Sequence, residues 1–422
     1  MSGPNSHHKS IFFPLLLIIV ILLPVAGCDE DDPTGPYTGA DIRGVVRNEN
    51  GSPAGGASVY LGRDPEWFPN VATVVLDSIL ADDAGRYEFD ELHEGHYRVF
   101  GGVWDQGGKG YFRVSPFSPP LWVAEKSSGH YERLSLEKME NAGVVAGAVF
   151  YEKESGLVPA DSATVTLLRY EGMNFVEGGE ATANAAGDFS VPGVRTGNYT
   201  ATARKVFSLG ARYPLYLEAE SEAFFCDGKT LVGLDQLILR DVMVEKPAVY
   251  IYPEVPGRYQ VELEFGAGIR LAASEPEYGN GWDVAVDSAG RIDGTWDYLF
   301  YEIAMPGAPR IPRGWCLPWD GLIAGLESII TDLGLVASEK DDFLAYWRSR
   351  LPRRDYYEIN AVMGDDLDAW VKLAVDPAPD STLRFWLFFR GSDEAVDLTE
   401  PVIPAFERTG TTVVEWGGAV RF

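Results

Sequence analysis

One pattern occurs twice in this chain, and it constrains the fold more than any other feature. Gly85-Arg86-Tyr87-Glu88-Phe89, followed by Leu92, Gly95 and Tyr97, returns as Gly187-Asp188-Phe189-Ser190-Val191, followed by Val194, Gly197 and Tyr199, at a constant offset of 102. The lead-ins match as well: Gly44-Val45-Val46 with Ala57-Ser58-Val59-Tyr60-Leu61 corresponds to Gly147-Ala148-Val149 with Ala163-Thr164-Val165-Thr166-Leu167. Self-similarity at a fixed spacing means one structural unit made twice. Within each copy, apolar and polar residues alternate over short runs broken by Gly, Pro and Asn, as half-buried strands joined by tight turns do. About 100 residues with turn signals at strand spacing predicts an antiparallel sandwich.

The expected organisation is therefore a sandwich over 41–140, a second over 141–244, and a different domain over 245–422. In the last, strands are expected at 246–252, 259–265, 282–286, 298–303, 356–362, 370–375, 383–389 and 411–416. Between them, Leu322, Ile323, Leu326, Ile329, Ile330 and Leu333 fall on one helical face, with Asp320 as cap and Gly334 as stop. A second helix opens with the capping box Ser338-Glu339-Lys340-Asp341, buries Phe343, Tyr346, Trp347 and Leu351, and ends at Pro352. The fold class is mainly β: two tandem antiparallel β-sandwiches followed by an α+β domain with a helical pair.

The repeated Gly-Val-Val, Ala-x-Val-x-Leu, Asp83-Ala84-Gly85-Arg86-Tyr87-x-Phe89 and Gly95-x-Tyr97 pattern resembles the carboxypeptidase regulatory-like module. That resemblance implies a transthyretin-like sandwich with no active site of its own. From Lys246-Pro247-Ala248-Val249-Tyr250-Ile251-Tyr252-Pro253 to Val413-Val414-Glu415-Trp416-Gly417-Gly418, the third domain resembles an uncharacterised bacterial family with a Lys-Pro-x-x-Tyr-x-Tyr-Pro opening and a Val-Glu-Trp-Gly-Gly ending. It implies a shared fold and no established activity.

At the other end, His7-His8-Lys9 precede an apolar run from Ile11 to Leu23, and Leu23-Pro24-Val25-Ala26-Gly27-Cys28 resembles a bacterial lipobox. The run is shorter than the roughly 20 residues a spanning helix needs, and Pro14 and Pro24 sit badly in one, so 1–27 reads as a lipoprotein signal peptide. The resemblance implies diacylglyceryl attachment to the Cys28 thiol and cleavage before it. Residues 28–40, with Asp29-Glu30-Asp31-Asp32 and Pro33-Thr34-Gly35-Pro36, read as an acidic tether. The expected location is the cell envelope, lipid-anchored and facing the periplasm or the exterior. With Lys9 removed, 34 basic residues stand against 63 acidic ones, a net charge of −29. Such a chain repels phosphate backbones, so no nucleic-acid partner is expected.

Chemistry is sparse. Cys226 and Cys316 lie in different predicted domains, each beside aromatics, and read as two buried thiols that do not pair. His93 and His96 have metal-ligand spacing, but their repeat equivalents are Arg195 and Asn198, so the turn reads as one that tolerates polar residues; no metal and no cofactor are expected. No histidine follows His130, which leaves Cys316 without a general base, and neither a GxSxG elbow nor a phosphate-binding loop is present. The remaining route to catalysis is carboxylates: Glu254, Glu302 and Glu415. Glu302 shares a strand face with Trp296, Tyr298 and Phe300, where desolvation would suit it to general-acid work with Glu415 across a cleft, as in a glycan hydrolase. The competing reading is a structural Glu bonded to backbone or to Arg384, Lys246 or Arg348. Trp296, Trp282 and Trp416 are the binding candidates, able to stack on glycan or peptide wherever they are exposed. The function expected is a non-enzymatic envelope lipoprotein whose sandwiches present the third domain to a glycan or protein partner; the alternative is the carboxylate hydrolase.

Overall fold

The computed structural model describes residues 41–421 apart from 65–72, 105–110, 125–128, 154, 208–210 and 393. The predicted signal peptide, Cys28 and the tether lie outside the described residues. Of the described residues, 55% are in strands and 9% in helices, which makes the protein mainly β.

The turn that defines the repeat shows why the sequence recurs. Asp82 Oδ1 accepts the amides of Ala84 and Arg86 at 2.9 and 2.8 Å, and Asn184 Oδ1 accepts those of Ala186 and Asp188 at 2.8 and 3.0 Å. Gly85 (φ +76°) and Gly187 (φ +85°) follow in the left-handed region. A Cβ there would lie 2.4 Å from the Val46 carbonyl oxygen and 2.5 Å from that of Val149, so glycine is required twice over. Twelve residues after each glycine, Tyr97 OH donates to the His93 carbonyl and Tyr199 OH to that of Arg195, both at 2.8 Å.

In the first sandwich, Ile42–Arg47 is flanked by Arg86–Phe89 and His130–Ser135, facing a second sheet built on Ser58–Asp64 and Gly95–Trp104. In the second, Gly143–Lys153 faces a sheet built on Thr164–Glu171 and Gly197–Phe207. Each encloses its own apolar core, around Val59, Tyr87 and Val99 in one and Val165, Phe189 and Ala201 in the other. Neither is wholly antiparallel. His130–Ser135 runs parallel to Ile42–Arg47, and Leu231–Gly233 and Leu237–Leu239 run parallel to Gly143–Lys153. Crossing from the far sheet before the return gives the long connection a parallel pair needs.

A further aromatic cluster joins the copies: Tyr60, Phe100 and Tyr111 of the first pack with Tyr170 of the second. The second sandwich meets the third domain by strand pairing, Leu215 opposite Pro309 and Tyr216 opposite Ala308. The boundary expected at 244/245 falls inside one continuous strand, Val242–Tyr252, so no linker separates the two.

The third domain has three layers. A seven-stranded sheet runs Arg270–Glu275, Leu299–Met305, Val242–Tyr252, Thr412–Arg421, Ser381–Ser392, Tyr356–Met363, Trp315–Pro318. The three-stranded sheet of Trp282–Val286, Gly257–Phe265 and Val371–Asp376 covers one face through Val261, Trp282, Tyr301 and Trp386. Helices α1 (Leu322–Asp332) and α2 (Ala337–Arg350) cover the other through Leu326, Ile330, Phe343 and Trp347. The strands at 270–275 and 315–318 were not expected; one is an exposed edge and the other is four residues long, so neither carries an alternating signal.

Both helix starts differ from expectation. Asp320 lies in a 3-10 turn, and Gly321 precedes α1 without a side-chain cap. Helix α2 begins one residue before Ser338: Glu339 Oε2 accepts the Val336 amide at 2.9 Å while Arg408 neutralises the same buried carboxylate, so packing placed the start. Gly334 (φ +107°) does end α1, with Leu335 N–H bonded to the Ile330 carbonyl and Gly334 N–H to that of Thr331. Among the described residues no helix is long and apolar enough to cross a membrane.

Candidate functional site

The carboxylates singled out from sequence do not converge. Val249 pairs with Leu299 on one side and Glu415 on the other, while Ala248 pairs with Phe300 and Trp416. Side chains at paired positions share a face, and faces alternate along a strand. Glu415 therefore stands with Leu299 and Tyr301 towards the small sheet, and Glu302 stands with Phe300 towards the helices. The two-carboxylate cleft that a glycan hydrolase needs is not formed by this pair.

Glu415 is fully buried and fully partnered. Its Oε2 pairs with Arg384 Nε, and its Oε1 accepts Tyr301 OH at 2.6 Å and Trp386 Nε1 at 3.1 Å. Arg384 also bonds Asp368 and, at 2.9 Å, the Val371 carbonyl. Burial alone would weaken the Arg384 charge, but Glu415, Tyr301 and Asp368 together hold its pKa above the usual arginine value. Burial, then Glu415, pushes the Tyr301 phenol far up. Glu415 spends both its oxygens inside the network, which ties three strands of the large sheet to the segment entering the small one. This is a structural role.

Glu302 belongs to a half-open cluster that sequence reasoning did not assemble. Desolvation first, and Glu245 second, raise its carboxyl above the ordinary range, opposed by Arg350 and Lys246. Glu245 accepts Tyr346 OH at 3.1 Å and lies 3.6 Å from Arg350 Nε. Lys246 occupies a bulge at φ +49°, a conformation that costs a residue with a side chain on the order of 1–3 kcal/mol. Its ammonium offsets that cost by donating to Tyr298 OH at 2.5 Å and sitting 4.7, 5.8 and 5.2 Å from the ring centres of Tyr298, Phe300 and Tyr346. Only the Lys-Pro opening hinted at this bulge.

Glu254 is exposed and lines a shallow, solvent-open hollow of about 310 Å³ with Arg258, Pro377 and Thr411, far from being enclosed by other carboxylates. Of the tryptophans proposed to stack, Trp282 and Trp416 are core residues on opposite faces of the large sheet, 3% and 0% exposed, and so have no ring face to offer; Trp296 is half-buried against the core that holds Trp282. The exposed tryptophan lies elsewhere. Among the ten tryptophans described, Trp122 of the first sandwich is the one classed as exposed, at 42%.

Cys226 is a buried free thiol, and Cys316 is only half-buried, its sulfur accepting the Val396 amide at 3.3 Å. The equivalence of His96 and Asn198 misled in one respect. His93 and His96 are exposed, but Asn198 is 1% exposed: its Oδ1 accepts the Phe117 amide and its Nδ2 donates to the Ser115 carbonyl, both at 2.9 Å. The turn does not merely tolerate a polar residue there; Asn198 bonds one sandwich to the other. Next to it, Thr196 is fully buried, accepting the Glu140 amide and donating to the Asp227 carbonyl, each at 2.8 Å.

No family model matches this chain, and no curated protein does. Among solved structures it is similar to GBS52, the minor pilin of Streptococcus agalactiae, at 10% identity over 47% of this chain and 95% of that one, with a TM-score of 0.19. It is similar to PA1324, a putative carbohydrate binding protein from Pseudomonas aeruginosa, at 13% identity over 23% of this chain and 89% of that one, with a TM-score of 0.16. The Bacillus anthracis TIE protein matches at 13% identity over 63% of this chain and 43% of that one, with a TM-score of 0.21. TM-scores this low leave functional inference to the residues themselves.

Proposed function

We propose that this protein is a non-enzymatic lipoprotein of the bacterial cell envelope, anchored by an acylated Cys28, whose two sandwiches form a stalk that carries the C-terminal domain to a glycan or protein partner. The observation that supports this reading best is how the units are joined. Asn198 and the Tyr60, Phe100, Tyr111 and Tyr170 cluster fix the first junction, and the unbroken strand Val242–Tyr252 with the Leu215–Pro309 pairing fixes the second. Connections without flexible linkers suit a spacer that must hold its far end away from a surface. The carboxylates fit the same reading, since Glu415 is consumed by Arg384 and Glu302 faces the other way.

The anchor is tested by expressing the full chain in a Gram-negative host with labelled palmitate. The wild type should incorporate label and sediment with membranes, and Cys28→Ala should do neither. Unlabelled wild-type protein in the soluble periplasmic fraction would sink the lipoprotein reading.

A further inference from the structure

We propose that the outer surface formed by His96 and Trp122 is a docking site for an extended, proline-containing segment of another protein. The inference rests on the internal junction and holds whether or not Cys28 is acylated.

The two copies place equivalent residues in equivalent slots. In the first, His96 lies opposite Trp122, between the pairs Gly95–Val123 and Tyr97–Leu121. In the second, Asn198 lies opposite Phe225, between Gly197–Cys226 and Tyr199–Phe224. The second slot is occupied by the first sandwich: Ser115-Pro116-Phe117-Ser118-Pro119 runs across it without regular structure, Asn198 bonds the Ser115 carbonyl and the Phe117 amide, and Phe225 packs in the aromatic cluster. The Phe117 ring inserts 4.8 Å from Phe100 and 4.9 Å from Tyr170. This is recognition of a proline-bearing segment by an amide and an aromatic wall, performed within one molecule.

The first slot has the same build, and its His96 and Trp122 are exposed. Leu121 and Val123 are core residues, so strand alternation holds Trp122 outward. The His96 ring lies against it at 4.6 Å, and the His130 ring nitrogen bonds the Trp122 carbonyl at 2.6 Å. A neutral imidazole carries one donor and one acceptor, as the Asn198 amide uses, and the indole offers more apolar area than Phe225.

The occupant is a different polypeptide. Each molecule already uses its own Ser115–Pro119 on Asn198, and the matching edge of the second sandwich, Leu215–Glu220, is covered by Ala308–Pro309 and by Arg310 on Glu218. The edge that would offer an equivalent segment to a second copy is therefore covered within each molecule. A net charge of −28 favours a neutral or basic segment over an acidic one.

The probe is the synthetic nonapeptide of residues 112–120, Phe-Arg-Val-Ser-Pro-Phe-Ser-Pro-Pro, titrated into the full chain in detergent and followed by calorimetry and by acrylamide quenching of tryptophan. The expected result is saturable binding that shields Trp122, weakened at least about tenfold by Trp122→Ala, partly kept by Trp122→Phe, and kept or tightened by His96→Asn. Absence of saturable binding, or binding indifferent to Trp122→Ala, overturns the proposal. So does shielding of Trp122 by cellohexaose or chitohexaose with none by the peptide, which would assign the surface to a glycan.

Discussion

His96 and Asn198 occupy one slot in two copies of the same strand, and their surroundings differ completely. Around each, the framework is the same: a glycine before, a tyrosine after, and that tyrosine's hydroxyl hooked onto a carbonyl four residues back at 2.8 Å. Yet Asn198 is sealed between sandwiches with both ends of its amide bonded, while His96 faces water beside an exposed tryptophan. The difference teaches that the repeat fixes geometry and the neighbour fixes chemistry. Glu415 and Glu302 in the third domain make the same contrast, one enclosed and fully partnered, the other half-open beside Glu245.

The sharpest way to break the contrast is at Glu415. Glu415→Ala leaves the buried Arg384 without its main counter-charge and strips Tyr301 and Trp386 of their acceptor, and should cost about 3–5 kcal/mol in urea unfolding. A cost under about 1 kcal/mol would mean the network is not what holds the layers together. Asn198→Ala orphans a half-buried amide and a buried carbonyl and should cost about 2 kcal/mol. Glu302→Gln acts in the opposite direction. Its folded pKa is raised, so the ionised form is the penalised one; stability from this site is full below the ordinary carboxyl pKa and is lost as pH rises through the folded value. Glu302→Gln should therefore raise the melting temperature by about 1–2 °C at pH 7, with the gain fading towards pH 4, and a loss at pH 7 would refute the assigned environment. His96→Ala should change stability by less than about 0.5 kcal/mol; a cost equal to that of Asn198→Ala would erase the distinction between the two slots.

Much of the fold was legible because its signals are local. Alternation placed the Trp282–Val286 strand to the residue, and Gly334 ended α1 where a left-handed glycine was read. Helix starts were less legible: Ser338 has the right side chain for a cap, but Glu339 was drawn inside by Arg408, a residue 69 positions away. The same blindness affected the site. Glu302 and Glu415 both lie in strands with aromatic neighbours, and nothing in either segment tells which sheet face it will present until Val249 and Ala248 set the pairing register. Trp122 drew no attention because one exposed aromatic in a three-residue strand has no periodicity to betray it.

The sequence by itself determined the β class, the doubled unit and its glycine turns, because strand alternation and left-handed glycine are properties of a few adjacent residues. Tertiary structure alone decided that Asn198 is buried and His96 open, that Glu415 is spent on Arg384, and that Glu302 cannot meet it. Burial and partnership depend on surfaces brought together from distant parts of the chain, and a repeat specifies its own frame without specifying what will be packed against it.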